Sequence, residues 1–229
     1  MNAERGAGRH IALVAHRVGN DPAGAGSACP PADAVELDVH LFRRRLEVRH
    51  AKVLWPTGVR WDRWELMPRR APRPTFGDVL AAVDPSVPLW IDLKGFDRRL
   101  TSKVLAAVGD RPATTVSSRS WWILPSPGQV PGVRVVHSIG SRLQLRMLRS
   151  RGSPVEGVAI AERLVTASVM GALRAVSPLV YVWGVHDAAR GCELCALGVD
   201  GLIVDGADVL AELASRLKTS GSDETETGE

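Results

Sequence analysis

Glu36, Asp38 and His40 alternate with Val35, Leu37, Val39 and Leu41 across residues 35–41. In a β-strand this alternation sends the three polar side chains to one face and the four apolar ones to the other. Two carboxylates on one side of a buried sheet repel each other and resist dehydration, and a cation relieves both costs. The chemistry on offer is therefore cation binding through oxygen ligands. A solvated face of an antiparallel sheet gives the same alternation, so the surrounding elements have to discriminate.

Short apolar, β-rich runs recur along the chain at 11–15, 35–41, 88–93, 113–117, 133–137, 157–160, 179–184 and 201–204. Helical patterns occupy 75–83, 98–108, 141–149, 166–176, 188–197 and 207–217. Strands alternating with helices imply parallel pairing through right-handed crossovers. The expected fold is α/β, a compact single-domain (β/α)8 TIM barrel over residues 10–217, with a flexible stretch at 1–9 and a disordered acidic tail at 218–229. The alternative, an open doubly wound sheet, is disfavoured because no Gly-x-Gly-x-x-Gly follows the first strand. In a barrel, reacting groups gather at the C-terminal ends of the strands. His16-Arg17 ends the first strand, Asp92-Leu93-Lys94 the third, Trp183-Gly184-Val185-His186-Asp187 the seventh and Val204-Asp205 the eighth. Polar residues at so many strand ends mark a site.

The chain has 229 residues, 45% of them hydrophobic, which supports one domain with a substantial core. Its net charge is +4, and of its 29 basic residues all but Lys52, Lys94, Lys103 and Lys218 are arginine. These arginines are scattered among acids, so the charge supports anionic ligands in general and not nucleic acid. Residues 60–73, with Trp61, Trp64, Met67, Pro68 and Pro72, read as a loop over a cleft. No apolar run reaches the ~18–20 residues that span a bilayer, and no secretion signal is evident. Cys29, Cys192 and Cys195 read as reduced thiols of a cytoplasmic chain, the Cys192-x-x-Cys195 pair as helix packing.

The ordered set Ala15-His16-Arg17, Glu36-Leu37-Asp38, His50-Ala51, Ile91-Asp92-Leu93-Lys94, Trp183-Gly184-Val185-His186 and Gly198-Val199-Asp200-Gly201-Leu202-Ile203-Val204-Asp205 resembles the glycerophosphodiester phosphodiesterase family of TIM barrels. Pro74-Thr75-Phe76-Gly77-Asp78-Val79-Leu80 is similar to that family's helix before the third strand. The match runs over about residues 11–210, with departures. Val18 replaces the Gly after His-Arg, with Gly19 following; the Pro-Glu-Asn-Thr segment is missing; Ala51 replaces an Asp; and Asp92 replaces a Glu.

The resemblance implies metal-dependent hydrolysis of a glycerophosphodiester or related small phosphodiester, in lipid and glycerol metabolism. It implies Glu36, Asp38 and Asp92 as metal ligands, an all-oxygen set that suits Mg²⁺ or Ca²⁺. It makes His16 and His50 the acid–base pair, their individual roles unassigned. Arg17 and Lys94 become phosphate contacts and Trp183 a wall of the alcohol pocket. Asp205 is expected to hold the barrel mouth by hydrogen bonds, His186 to be peripheral, and Trp121-Trp122 either to line the mouth or to cover core. Two alternatives stay open: a catalytically silent barrel that binds a phosphodiester or anionic lipid head group, and a phospholipase-D-type or lyase reaction that yields a cyclic phosphate.

Overall fold

Eight parallel strands close on themselves in the computed structural model of the chain, which describes residues 10–26, 31–54, 59–62, 65–67, 73–111 and 113–222. In chain order the strands are β1 (Ala12–Ala15), β2 (Ala34–Phe42), β3 (Arg45–Val48), β4 (Lys52–Leu54), β5 (Val59–Asp62), β6 (Glu65–Met67), β7 (Leu89–Lys94), β8 (Thr114–Ser118), β9 (Val133–Ile139), β10 (Gly157–Ala161), β11 (Leu179–Val185) and β12 (Gly201–Val204). The helices are α1 (Pro22–Gly26), α2 (Phe76–Ala82), α3 (Arg98–Val108), α4 (Arg142–Ser150), α5 (Ala167–Arg174), α6 (Ala188–Ala196) and α7 (Ala207–Ser222). Around the barrel the order is β1-β2-β7-β8-β9-β10-β11-β12, and β12 returns to β1 in parallel register from Ala12 opposite Gly201 to Ala15 opposite Val204. All eight expected barrel strands are present, their ends within two residues of those expected. The open sheet is excluded by this closure.

Alternation along the strands separates two cores. Outward-facing Leu37, Val39, Leu89, Ile91, Leu93 and Val116 are fully buried against α2 and α3. Their counterparts on the other half, Leu13, Val158, Ile160, Val180, Val182 and Leu202, pack with Leu173, Leu194, Leu210 and Leu213 of the later helices. Each such side chain contributes roughly 1.5–3 kcal/mol of burial. Inside the barrel, Val14, Trp90, Val136, Ala159, Tyr181 and Ile203 form an apolar plug, with the Trp90 and Tyr181 rings edge to face at 4.8 Å. Helices begin where a short polar side chain accepts a backbone N–H: Thr75 with Asp78 in a reciprocal box at α2, Asp97 at α3, Ser141 at α4, Thr166 at α5 and Asp187 at α6.

Among the described residues, the first β–α crossover holds a 3-10 turn at Val18–Asn20 and the five-residue α1. β2 runs on into a hairpin with β3, pairing His40 with Glu47 and Phe42 with Arg45. A second departure falls at residues 60–73. Instead of a loop, the described part supplies β5 and β6 of an antiparallel β4-β5-β6 sheet, with the Arg60 side chain buried. Trp64, Pro68 and Pro72 of that stretch, Cys29, the N-terminal residues 1–9 and residues 223–229 of the expected tail lie outside the described residues. Lys218–Ser222, the expected start of the tail, continue α7. Among the described residues no helix is long and apolar enough to cross a membrane.

Candidate active site

The apolar plug is the floor of the site, and the carboxylates stand on it. Glu36 of β2 lies opposite Trp90 of β7, and one inward step higher Asp38 lies opposite Asp92, which in turn lies opposite Ser117 of β8. Strand pairing thus sets the three acids side by side: Glu36, Asp38 and Asp92 each offer an oxygen within 4.8 Å of the others. Oxygens that share one Ca²⁺ at 2.3–2.6 Å lie at most ~5 Å apart, so the set has the span of a single hard cation site. Burial, with Asp38 beside it, holds the Glu36 carboxyl well above its ordinary pKa. A carboxylate so placed is one that a cation stabilises. The donor set therefore fits Mg²⁺ or Ca²⁺.

Lys94 provides positive charge at this cluster. Its Nζ is 2.7 Å from Asp38 Oδ1 and also contacts Asp92 Oδ2. Burial opposes the charge on Lys94, but Asp92, Asp38 and Glu36 outweigh it and raise the ammonium pKa. Burial likewise opposes the charge on Asp38, yet Lys94 and a hydrogen bond from Asn20 hold its pKa below the ordinary value. Asn20 grips Asp38 twice, its amide donating to Oδ2 at 2.8 Å and its Oδ1 accepting the Asp38 N–H at 2.7 Å. Asp92 accepts from Ser117 Oγ at 3.0 Å, and Ser117 accepts from Trp90 Nε1 at 3.0 Å.

His16 follows β1, with its N–H bonded to the Val204 carbonyl. Its Nδ1 is 2.6 Å from Asp205 Oδ1, and its Nε2 faces Glu36 Oε2 at 3.9 Å. A carboxylate on one imidazole nitrogen orients the other toward the cluster. Burial pushes the Asp205 carboxyl up, but the His16 hydrogen bond and charge outweigh it and leave its pKa lowered. Arg17 sits at φ 60, a left-handed conformation that costs a non-glycine residue about 1 kcal/mol. In that conformation its N–H donates to Glu36 Oε2 at 2.7 Å, while its Nε lies 3.8 Å from Asp38 Oδ2. Gly19 completes the turn by close approach: a Cβ there would stand 2.8 Å from the Leu37 Cβ.

His50 follows β3, where the Arg49 N–H bonds the Asp38 carbonyl at 2.9 Å and ties the segment to β2. A cavity of about 70 Å³ at the mouth is lined by His16, His50, Glu36, Asp92, Lys94, Arg17 and Trp183, among others. It brings together every expected site residue except Asp38, which is fully buried and adjoins Glu36 and Asp92. The Trp183 ring forms one wall with the Arg119 guanidinium 4.7 Å above it. His186 is mostly exposed, its Nδ1 3.4 Å from Asp205 Oδ2. His40 continues the acidic face of β2 but borders a separate groove, and burial, then Arg49, lower its pKa to about 3. Trp121 and Trp122 also line that groove.

Asn20, Ser117 and Arg119 escaped sequence reasoning. Ser117 and Arg119 close the fourth barrel strand, a position that carries its own signal; Asn20 lies in a turn whose geometry no pattern announces.

No family model and no curated protein matches the chain. Solved structures do. A glycerophosphodiester phosphodiesterase from Thermotoga maritima aligns with a TM-score of 0.66 at 18% identity, covering 92% of this chain and 99% of that one. One from Parabacteroides distasonis gives 0.66 at 18%, covering 92% and 100%. A phosphodiesterase from Oleispira antarctica, in complex with the product sn-glycerol-3-phosphate, gives 0.67 at 15%, covering 90% and 96%. The likeness that the motifs carry in sequence extends to the whole barrel, and the chain has the fold of the glycerophosphodiester phosphodiesterases.

Proposed function

We propose that the chain hydrolyses a glycerophosphodiester or related small phosphodiester to an alcohol and a phosphomonoester, using a divalent cation and the pair His16 and His50. The observation that carries this reading is a trio of carboxylates, two buried and one partly buried, within 4.8 Å of one another beside a cavity that both histidines line. Glu36, Asp38 and Asp92 would hold the ion, Mg²⁺ or Ca²⁺. When bound, it supplies a Lewis acid against the charge on the phosphoryl oxygens. Arg17 and Lys94 add positive charge for the same oxygens. Attack by water forms one P–O bond as the bond to the alcohol breaks. One imidazole takes the proton from water and the other gives one to the departing alkoxide. Asp205 orients His16 and stabilises its protonated form, while Trp183 walls the alcohol side.

Ala51, which brings no carboxylate beside His50, favours a second reading as a silent barrel that binds a phosphodiester or anionic head group. Protein stripped with chelator and assayed on glycerophosphodiesters with Mg²⁺, Ca²⁺ or Mn²⁺ restored separates the two. Hydrolysis predicts metal-restored turnover that falls by roughly 10²–10⁴ in His16→Ala. Binding without turnover, unchanged in His16→Ala, establishes the silent barrel. Phosphorus NMR of the product distinguishes a phosphomonoester from the cyclic phosphate of a lyase reaction.

A further inference from the structure

Next to the small mouth cavity lies a far larger groove of about 910 Å³, bordered by Leu41, Phe42, Phe96, Trp121, Trp122 and Met147. The two spaces adjoin, with His50, Asp92, Lys94 and Arg119 bordering both. A phosphodiester seated at the carboxylates therefore lies beside space that one of its ester arms could occupy.

The composition of the groove names the arm. Phe96 is 74% exposed, Trp122 54% and Met147 50%, and the Phe96 and Trp122 rings stack at 5.6 Å with 9° between their planes. One exposed apolar side chain is ordinary; three along one groove beside a reaction centre mark a binding surface. The volume is at the upper end of the ~300–1,000 Å³ that holds a drug-sized ligand, and a glycerol moiety fills little of it. Of its charged lining, Lys94, Arg119 and Asp92 are shared with the mouth cavity, and Arg49 and Lys52 add two further cations. The arrangement, cationic side chains at the border with the mouth and an apolar trough beside them, matches an amphiphile.

We propose that the preferred substrate is a phosphodiester bearing a single hydrocarbon chain, of the lysophospholipid class, whose chain lies across Phe96, Trp122 and Met147. This rests on the phosphodiesterase reading above and adds the substrate class to it.

The test compares glycerophosphocholine with its monoacyl forms at acyl lengths of six to fourteen carbons, on metal-restored protein and below micelle formation. The expected result is kcat/KM that rises by about two- to fourfold per methylene until the groove is filled, at least tenfold overall. In Trp122→Glu and Met147→Glu, both at exposed positions that leave the core intact, the acyl-to-deacylated ratio should collapse toward one. Equal kcat/KM at every length overturns the assignment. Binding of alkylphosphocholines, followed by tryptophan fluorescence, reads the groove without catalysis. If nothing turns over but affinity climbs with chain length and falls in both variants, the groove stands and the hydrolytic reading fails. Affinity independent of chain length overturns the groove even if glycerophosphocholine is hydrolysed. A dimer in sedimentation that Trp122→Glu dissolves assigns the surface to a second copy instead.

Discussion

The residue that best separates a working site from a decorative one is Asp205. It touches no expected substrate position, and its effect passes through His16, whose Nδ1 it binds at 2.6 Å. Asp205→Asn keeps the shape but removes the charge and favours the wrong imidazole tautomer. By the measure of other His–Asp pairs, kcat should fall by roughly 10²–10⁴ with KM little changed, read by steady-state kinetics. A fall in stability with kcat intact would mean that Asp205 only closes the barrel. At this scale much of the candidate site was legible in the sequence, because alternation along β2 and β7 turns Glu36, Asp38, Asp92 and Lys94 inward, and His16 and Arg17 stand just past the end of β1. Asn20 and Ser117 were not legible as partners. Their roles depend on which strand lies next to which, so Ser117 meets Asp92 only once β8 pairs with β7.

Among the elements, β12 is hemmed in by neighbours that are hard to move. A Cβ on Gly201 would lie 2.7 Å from the Ala12 carbonyl oxygen and 2.7 Å from Tyr181 Cδ1. The first is backbone of β1 and the second a ring of the inner plug, so neither can yield cheaply. Gly201→Ala should therefore destabilise the barrel by about 1–3 kcal/mol, seen as a lower denaturant midpoint with an unchanged slope. A midpoint that stays put would show that β1 and β11 spread more easily than their pairing implies. Element existence was legible because each barrel strand is an apolar run bounded by turn or cap residues. The β2–β3 hairpin was not. Its two turn residues, Arg43 and Arg44, take φ of 47° and 69°, and two-residue turns of this hand ordinarily announce themselves through Asn or Gly. The β4-β5-β6 sheet was missed for a related reason: its strands are three or four residues long, too short to show a clean alternation.

For the whole molecule, the pH dependence of stability carries a group remote from the proposed chemistry. His137 points outward from β9, 95% buried, with its ring 5.5 Å from Trp121. Arg151 Nη1 lies 3.3 Å from Nε2, and a guanidinium can only donate, so Nε2 accepts and the proton resides on Nδ1, which has no hydrogen-bond partner among the described residues. Burial, then the Arg151 charge, lowers the imidazole pKa to about 4. Above pH ~6.5 folded and unfolded chains both hold it neutral, and its contribution is fully present. As pH falls from ~6.5 toward 4, the unfolded chain takes a proton that the native chain refuses, and stability is lost at up to ~1.4 kcal/mol per pH unit. Other groups move in both directions, since Glu36 with its raised pKa gains stability on acidification while Asp38 and Asp205 with lowered values lose it. The comparison between wild type and His137→Phe cancels them. Denaturant unfolding at pH 7.5 and 5.0 should show the phenylalanine variant losing less stability than wild type, by on the order of 2 kcal/mol. Equal losses would mean that Arg151 swings clear and lets the native imidazole charge, and the packing of α4 against β9 would then be looser than the buried ring implies.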